Sequence, residues 1–250
     1  MSLEILGCRL DPIDADEATE RILGFMRERT GAQIVTLGTE MVVYAQRDDA
    51  FRRIVNACAL SLCDTVGLLL VARRRGAQLA ERVTGVELIE HLARRAAGEE
   101  LSVYLLGGAE GAAADAAAVL EARFPGLLIA GVRNGYFAPE ESGQIAAEIR
   151  ASGAALLLVG LGSPRQERWL AEYLAASGAG AGIGVGGSFN VIGGRAERAP
   201  VLWRRLGVEW LYRLVKEPHR WRRQVALPYF VWLIALDTLG LRPKKERTVS

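Results

Sequence analysis

Ala155-Leu156-Leu157-Leu158-Val159-Gly160-Leu161-Gly162-Ser163-Pro164-Arg165-Gln166-Glu167 is the stretch that decides the fold. Its apolar run, Ala155–Leu161, has no polar member and is too short for an ordinary helix, so Ala155–Gly160 reads as a strand covered on both faces. Glycines close it. Pro164 then suits a first helical turn and Glu167 complements the helix dipole. A buried strand turning directly into a helix is the repeating unit of a parallel α/β sheet.

Working outward, the same pattern recurs. Gln33–Thr36, Ala59–Cys63, Ser102–Leu106, Leu127–Val132 and Gly182–Val185 are further short apolar strands. Helical patterns lie between them at Ala15–Arg29, Thr39–Ala57, Val66–Arg75, Val86–Ala97, Gly111–Phe124, Glu140–Ser152 and Pro164–Ser177. This predicts an α/β chain with a Rossmann-like, doubly wound, mostly parallel sheet, whose ligands bind beyond the carboxyl ends of the strands. After about Ala199 the pattern changes. Pro200–Lys216 and Arg220–Leu236 read as helices crowded with Trp, Arg and Leu, giving a body at 1–198 and a helical appendage at 199–250.

The chain has 250 residues, half of them apolar and 24% charged, which excludes disorder and collagen. Three cysteines, no CxxC and two histidines argue against a disulfide scaffold or structural zinc, and point to reduced thiols in a cytoplasmic setting. No signal-peptide pattern opens the sequence. The net charge of +2 conceals a division: residues 195–247 carry +8 and the remainder −6. A basic attachment of this kind suits an anionic membrane surface, a diphosphate or nucleic acid. Nucleic acid is the weakest of the three, because the body is acidic and no nucleic-acid module is present. The apolar run Val225–Leu236 falls short of the roughly 20 residues that span a bilayer. It reads either as an interfacial helix, with Trp221, Tyr229 and Trp232 at headgroup depth, or as a helix docked on the sheet.

Several residues could carry chemistry. Gly107 and Gly108 join a strand to a helix, where backbone N–H groups either cradle a phosphate or simply make a tight turn. A true GxGxxG and its ribose-binding acid are missing, which disfavours a dinucleotide and an NAD-dependent enzyme. Asp64 and Thr36 end neighbouring strand candidates. Asp64 is placed either to act as a general base or to cap the next helix. Gln166 and Glu167 could hydrogen-bond a base or ribose, or merely start a helix well. Asp14-Ala15-Asp16 spells DxD, but capping and dipole effects explain it better than metal binding does. In Glu209–Arg223, Arg213, Arg220 and Arg223 recur near one helical face, and arginines match phosphate bidentately.

Taken together, these segments resemble the WecG/TagA/CpsF glycosyltransferases, glycosyltransferase family 26, from about Ile5 to Arg223. The resemblance is carried by Thr36-Leu37-Gly38-Thr39-Glu40, Asp64-Thr65-Val66-Gly67, Glu81-Arg82-Val83-Thr84-Gly85 and Leu106-Gly107-Gly108. It continues through Gly135-Tyr136-Phe137, Gly162–Glu167, Gly184–Phe189, Arg198-Ala199-Pro200 and Glu209–Arg223. It implies an inverting enzyme using no metal and no cofactor. The donor would be a UDP-sugar and the acceptor a polyprenyl-diphosphate-linked sugar, at the inner face of the cell membrane. On this resemblance Asp64 is the catalytic base and Thr36 an active-site neighbour. Arg82, Arg213, Arg220 and Arg223 close over the diphosphate, and Asn190 joins Gly107, Gly108, Gln166 and Glu167 in binding substrate. Gly38 stands where the family has Asn, Thr65 where it has Gly, Glu87 where it has Asp, and Asn190 where it has Asp. Gly38 and Asn190 keep open a rival expectation, a non-catalytic nucleotide-binding adaptor of the same pathway. Membrane burial or a homo-oligomer would equally cover the apolar C-terminal face.

Overall fold

The computed structural model describes residues 2–197, 199–200, 203, 211–212 and 226–241 of the chain. Arg213, Arg220, Arg223 and most of the expected helix Pro200–Lys216 lie outside the described residues. A short antiparallel hairpin, β1 (Leu3–Ile5) with β2 (Cys8–Leu10), opens the chain. Six strands then form one wholly parallel sheet. They are β3 (Ala32–Leu37), β4 (Leu60–Cys63), β5 (Ser102–Gly107), β6 (Leu128–Arg133), β7 (Leu156–Gly160) and β8 (Ala181–Gly184). Their spatial order is β4-β3-β8-β7-β5-β6, and the sheet is the expected doubly wound α/β arrangement.

Side-chain alternation builds a layer on each face. From β7, Leu156 and Leu158 enter one core, together with Ile34, Val103, Leu105 and Ile183. Leu157 and Val159 enter another on the opposite face with Tyr104 and Leu106. Each fully buried leucine contributes roughly 1.5–3 kcal/mol relative to exposure, so a strand apolar on both sides is at home only here. The first core is covered by α1 (Ala15–Glu28), α5 (Gly85–Ala97), α6 (Ala112–Arg123) and the short α9 (Ser188–Ile192). The opposite face is covered by α7 (Ser142–Ser152) and α8 (Arg165–Ser177), and further along by α2 (Thr39–Ala45), α3 (Asp49–Ala57) and α4 (Val66–Arg74).

One expectation needs correction. The helix expected over Thr39–Ala57 is two helices, because Asp48 caps α3 by accepting from Phe51 N at 2.8 Å. Gln46 turns aside at the same break, donating to the Leu6 carbonyl at 2.9 Å. Asp14 is a cap as well, accepting from Glu17 N at 2.8 Å at the start of α1. The cysteines are buried, and burial pushes the Cys58 and Cys63 thiols up to about 12, so neither is a ready nucleophile.

The last described helix, α10 (Ala226–Thr238), docks on the body by one face. Phe230 and Leu233 are buried in the core around α2 and α4, and Arg75 pairs with Asp237 at 2.5 Å. Its other face leaves Val231 61% and Trp232 53% exposed. The two readings of this segment are therefore not exclusive: docking uses one side and leaves an apolar side outward. Among the described residues no helix is long and apolar enough to cross a membrane.

Candidate active site

The sheet reverses its winding between β5 and β7. From β5 the chain leaves through α6 toward β6, and from β7 through α8 toward β8, in the opposite direction. Ligands of open α/β sheets bind at such a point. Glycines make the floor. Gly107 has φ +131°, and a Cβ on it would lie 2.5 Å from the Gly160 carbonyl. Gly108 N donates to Gly160 O at 2.9 Å, and Gly135 N to Gly108 O at 2.9 Å.

Above this floor opens a cleft of about 610 Å³, the size of a small-molecule site. Thr36, Asp64, Arg82, Gly108, Gln166 and Asn190 all line it. The strand pairing explains the first two. β3 and β4 run parallel with Thr36 opposite Leu62 and Leu37 opposite Cys63, and Asp64 N donates to Leu37 O at 3.0 Å. Thr36 and Asp64 thus leave adjacent strand ends. The Thr36 hydroxyl donates to Gly184 O at 3.1 Å, so its lone pairs are the part left for a ligand. The N-cap of α4 is Thr65, not Asp64. Asp64 and Arg82 both act on the same neighbour: after burial, the Asp64 carboxylate is the next cause raising the Cys63 thiol, and Arg82 opposes it.

Three helices of nine residues or more begin at the cleft wall: α4 at Thr65, α5 after Thr84, and α8 at Ser163–Gln166. Thr84 caps α5, accepting from Glu87 N at 3.3 Å and donating to Glu87 Oε2 at 2.8 Å. Each helix start carries roughly half a positive charge, so the wall favours an anion.

Not every expected residue reaches the cleft. Gly107 lies beneath the lining, where its task is the close approach to Gly160. Glu167 is only 1% exposed and lies behind Gln166, which donates to Glu167 Oε1 at 2.7 Å. Arg165, on the other hand, is a lining residue the sequence reading passed over. It sits 4.7 Å above the Phe137 ring and donates to the Gly135 carbonyl at 3.3 Å, holding the rim loop that presents Tyr136, 77% exposed. Its position in the first turn after Pro164 was the available signal. Neither Asp14 nor Asp16 lines the cleft. Among the described residues no three His, Cys, Asp or Glu side chains converge as a metal site would require.

The model of the glycosyl transferase WecG/TagA/CpsF family matches residues 3–244. The chain belongs to that family. It is a glycosyltransferase family of cell-surface polysaccharide synthesis, and the match spans nearly the whole sequence. Within this WecG/TagA/CpsF glycosyltransferase, two of the departing positions touch. A side chain beginning at Gly38 would put its Cβ 3.5 Å from Thr65 Cγ2, so Thr65 fills the wall beside the space that Gly38 leaves open.

Proposed function

We propose that the chain transfers a sugar from a UDP donor to a polyprenyl-diphosphate-linked saccharide, with inversion and without a metal. The observation that carries this reading is the meeting of Asp64, Thr36 and Arg82 in one glycine-floored cleft. In it, the Asp64 carboxylate takes the acceptor hydroxyl proton while that oxygen bonds to the anomeric carbon. The bond from that carbon to the β-phosphate oxygen breaks on the opposite side, and UDP departs with the electron pair. Arg82 and the three helix N-termini stabilise the developing charge. Arg213, Arg220 and Arg223 complete the clamp in this reading.

Residues 1–198 are taken as the catalytic body and 199–250 as an attachment facing anionic lipid on the cytoplasmic side. The apolar outer face of α10, with Val231 and Trp232, supports that orientation. An adaptor lacking catalysis would have no use for Asp64 at a strand end inside the cleft. The donor sugar, an N-acetylmannosamine, its uronic acid or a glucose-type sugar, is to be found by screening.

Thermal unfolding against a panel of UDP-sugars is the first test. A true donor at about 100 times its Kd adds about 2.7 kcal/mol, which in a chain of this size raises Tm by about 5–10 °C. NAD should give no shift. A shift with NAD and none with UDP or any UDP-sugar would overturn the reading.

A further inference from the structure

The Gln166 amide is fixed from two sides. Gly186 N donates to Gln166 Oε1 at 2.9 Å, and a backbone N–H can only donate, so the orientation of the amide follows. Nε2 then lies toward Glu167 and gives one of its two hydrogens to Oε1 at 2.7 Å. Gly184 makes the room, since a Cβ there would lie 2.6 Å from Nε2. Gln166 is 4% exposed yet still lines the cleft. Glu167 is more deeply buried, and among the described residues its Oε2 finds no hydrogen-bond partner. A carboxyl in such a place is costly, and its side chain has a visible use at Gln166.

The helix turn itself is held independently of that side chain. Gln33 Nε2 donates to the backbone carbonyl of Glu167 at 3.0 Å, tying α8 to β3. Burial pushes the Glu167 carboxyl up, against the pull of hydrogen bonds from Gln166 and Ser163. An acceptor oxygen remains opposite Nε2 in either protonation state.

We propose that Glu167 is a positioning residue: it locks the Gln166 amide so that the second Nε2 hydrogen faces an acceptor oxygen of the bound nucleotide donor. The inference rests on the UDP-donor reading above. Without Glu167 the amide is held, among the described residues, by Gly186 alone, and the N–H offered to the nucleotide loses its fixed direction.

A double-mutant cycle tests it, with UDP affinity measured by calorimetry and folding checked by thermal unfolding. Q166M and E167M should each weaken UDP by about tenfold, the worth of roughly one hydrogen bond. Q166M/E167M should bind no more weakly than Q166M alone, because Glu167 acts through Gln166. E167Q keeps an acceptor oxygen and should recover most of the loss. Additive losses in the double variant, or UDP binding by E167M equal to that of the unmutated chain, would overturn the proposal. Failure of the unmutated chain to bind UDP would instead overturn the donor reading, and the inference with it. A measurement that leaves Glu167 in place guards against an E167M that does not fold. In ¹⁵N spectra, the side-chain NH₂ pair absent from Q166M should contain one slowly exchanging proton. Two fast ones would contradict the lock.

Discussion

Replacing Asp64 by Asn should lower the turnover of sugar transfer by about 10²–10⁴-fold, the usual worth of a general base, while UDP binds nearly as before. Asn has the same shape and still offers an acceptor oxygen, so the cleft wall between β3 and β4 is kept. What it cannot do is take a proton. The acceptor hydroxyl would then have to attack without a base, and kcat should fall with little change in UDP affinity. Full turnover by D64N would remove Asp64 from the role of base. A parallel collapse of UDP affinity would assign it to donor binding instead. The assay is acceptor-dependent UDP release, read beside calorimetry on the same preparation.

Replacing Gly107 by Ala should be the most destabilising single methyl in the cleft floor. Two costs coincide there. At φ +131° an L side chain is strained, and the new Cβ would press to 2.5 Å of the Gly160 carbonyl on the neighbouring strand. Strained backbone and overpacking each cost about 1–3 kcal/mol, so G107A should lose about 2–6 kcal/mol and lower Tm on the order of 10 °C. The atoms the new methyl meets are all backbone, so no flexible side-chain end can yield. G143A is the matched control, because a Cβ on Gly143 in α7 meets nothing within 4 Å among the described residues. Gly to Ala inside a helix gains up to about 1 kcal/mol, so G143A should hold or raise Tm. Equal melting of G107A and the unmutated chain would show that β5 and β7 do not approach as closely as described.

The parallel sheet was legible in the sequence because it depends on a local signal. Each of its six strands is a short apolar run, and each expected run overlaps the observed strand to within a residue or so at either end. The hairpin β1–β2 was not legible. Its strands are three residues each, and Gly7 alone marks the turn, because Leu6 before it takes φ +52° where Asn or Asp is the usual signal. The break between α2 and α3 was hidden for a different reason. Gln46 is held by a carbonyl of that distant hairpin, a contact that helical periodicity cannot report.

The site divides along similar lines. Thr36, Asp64 and Gln166 could be placed because strand ends converge in this class of sheet. Adjacent side chains on a helix diverge at their base, and although Gln166 and Glu167 are both buried and meet at their tips, only Gln166 also lines the cleft. Sequence spacing shows that the two differ but not which one reaches the cleft. Arg165 was passed over because its partner, Phe137, is far away in the chain. The basic excess at 195–247 was visible at once. Of the arginines to which a task was assigned, Arg213, Arg220 and Arg223 lie outside the described residues, whereas Arg82 is found at the cleft.

The most direct test of the central claim is UDP release by the unmutated chain, with a UDP-sugar donor and a polyprenyl-diphosphate-linked saccharide, in the presence of EDTA. Sugar transfer with base assistance from Asp64 and charge stabilisation by arginines predicts one UDP per sugar added, only when acceptor is present, and undiminished by the chelator. UDP release that ignores the acceptor, or that stops when EDTA is added, would contradict it.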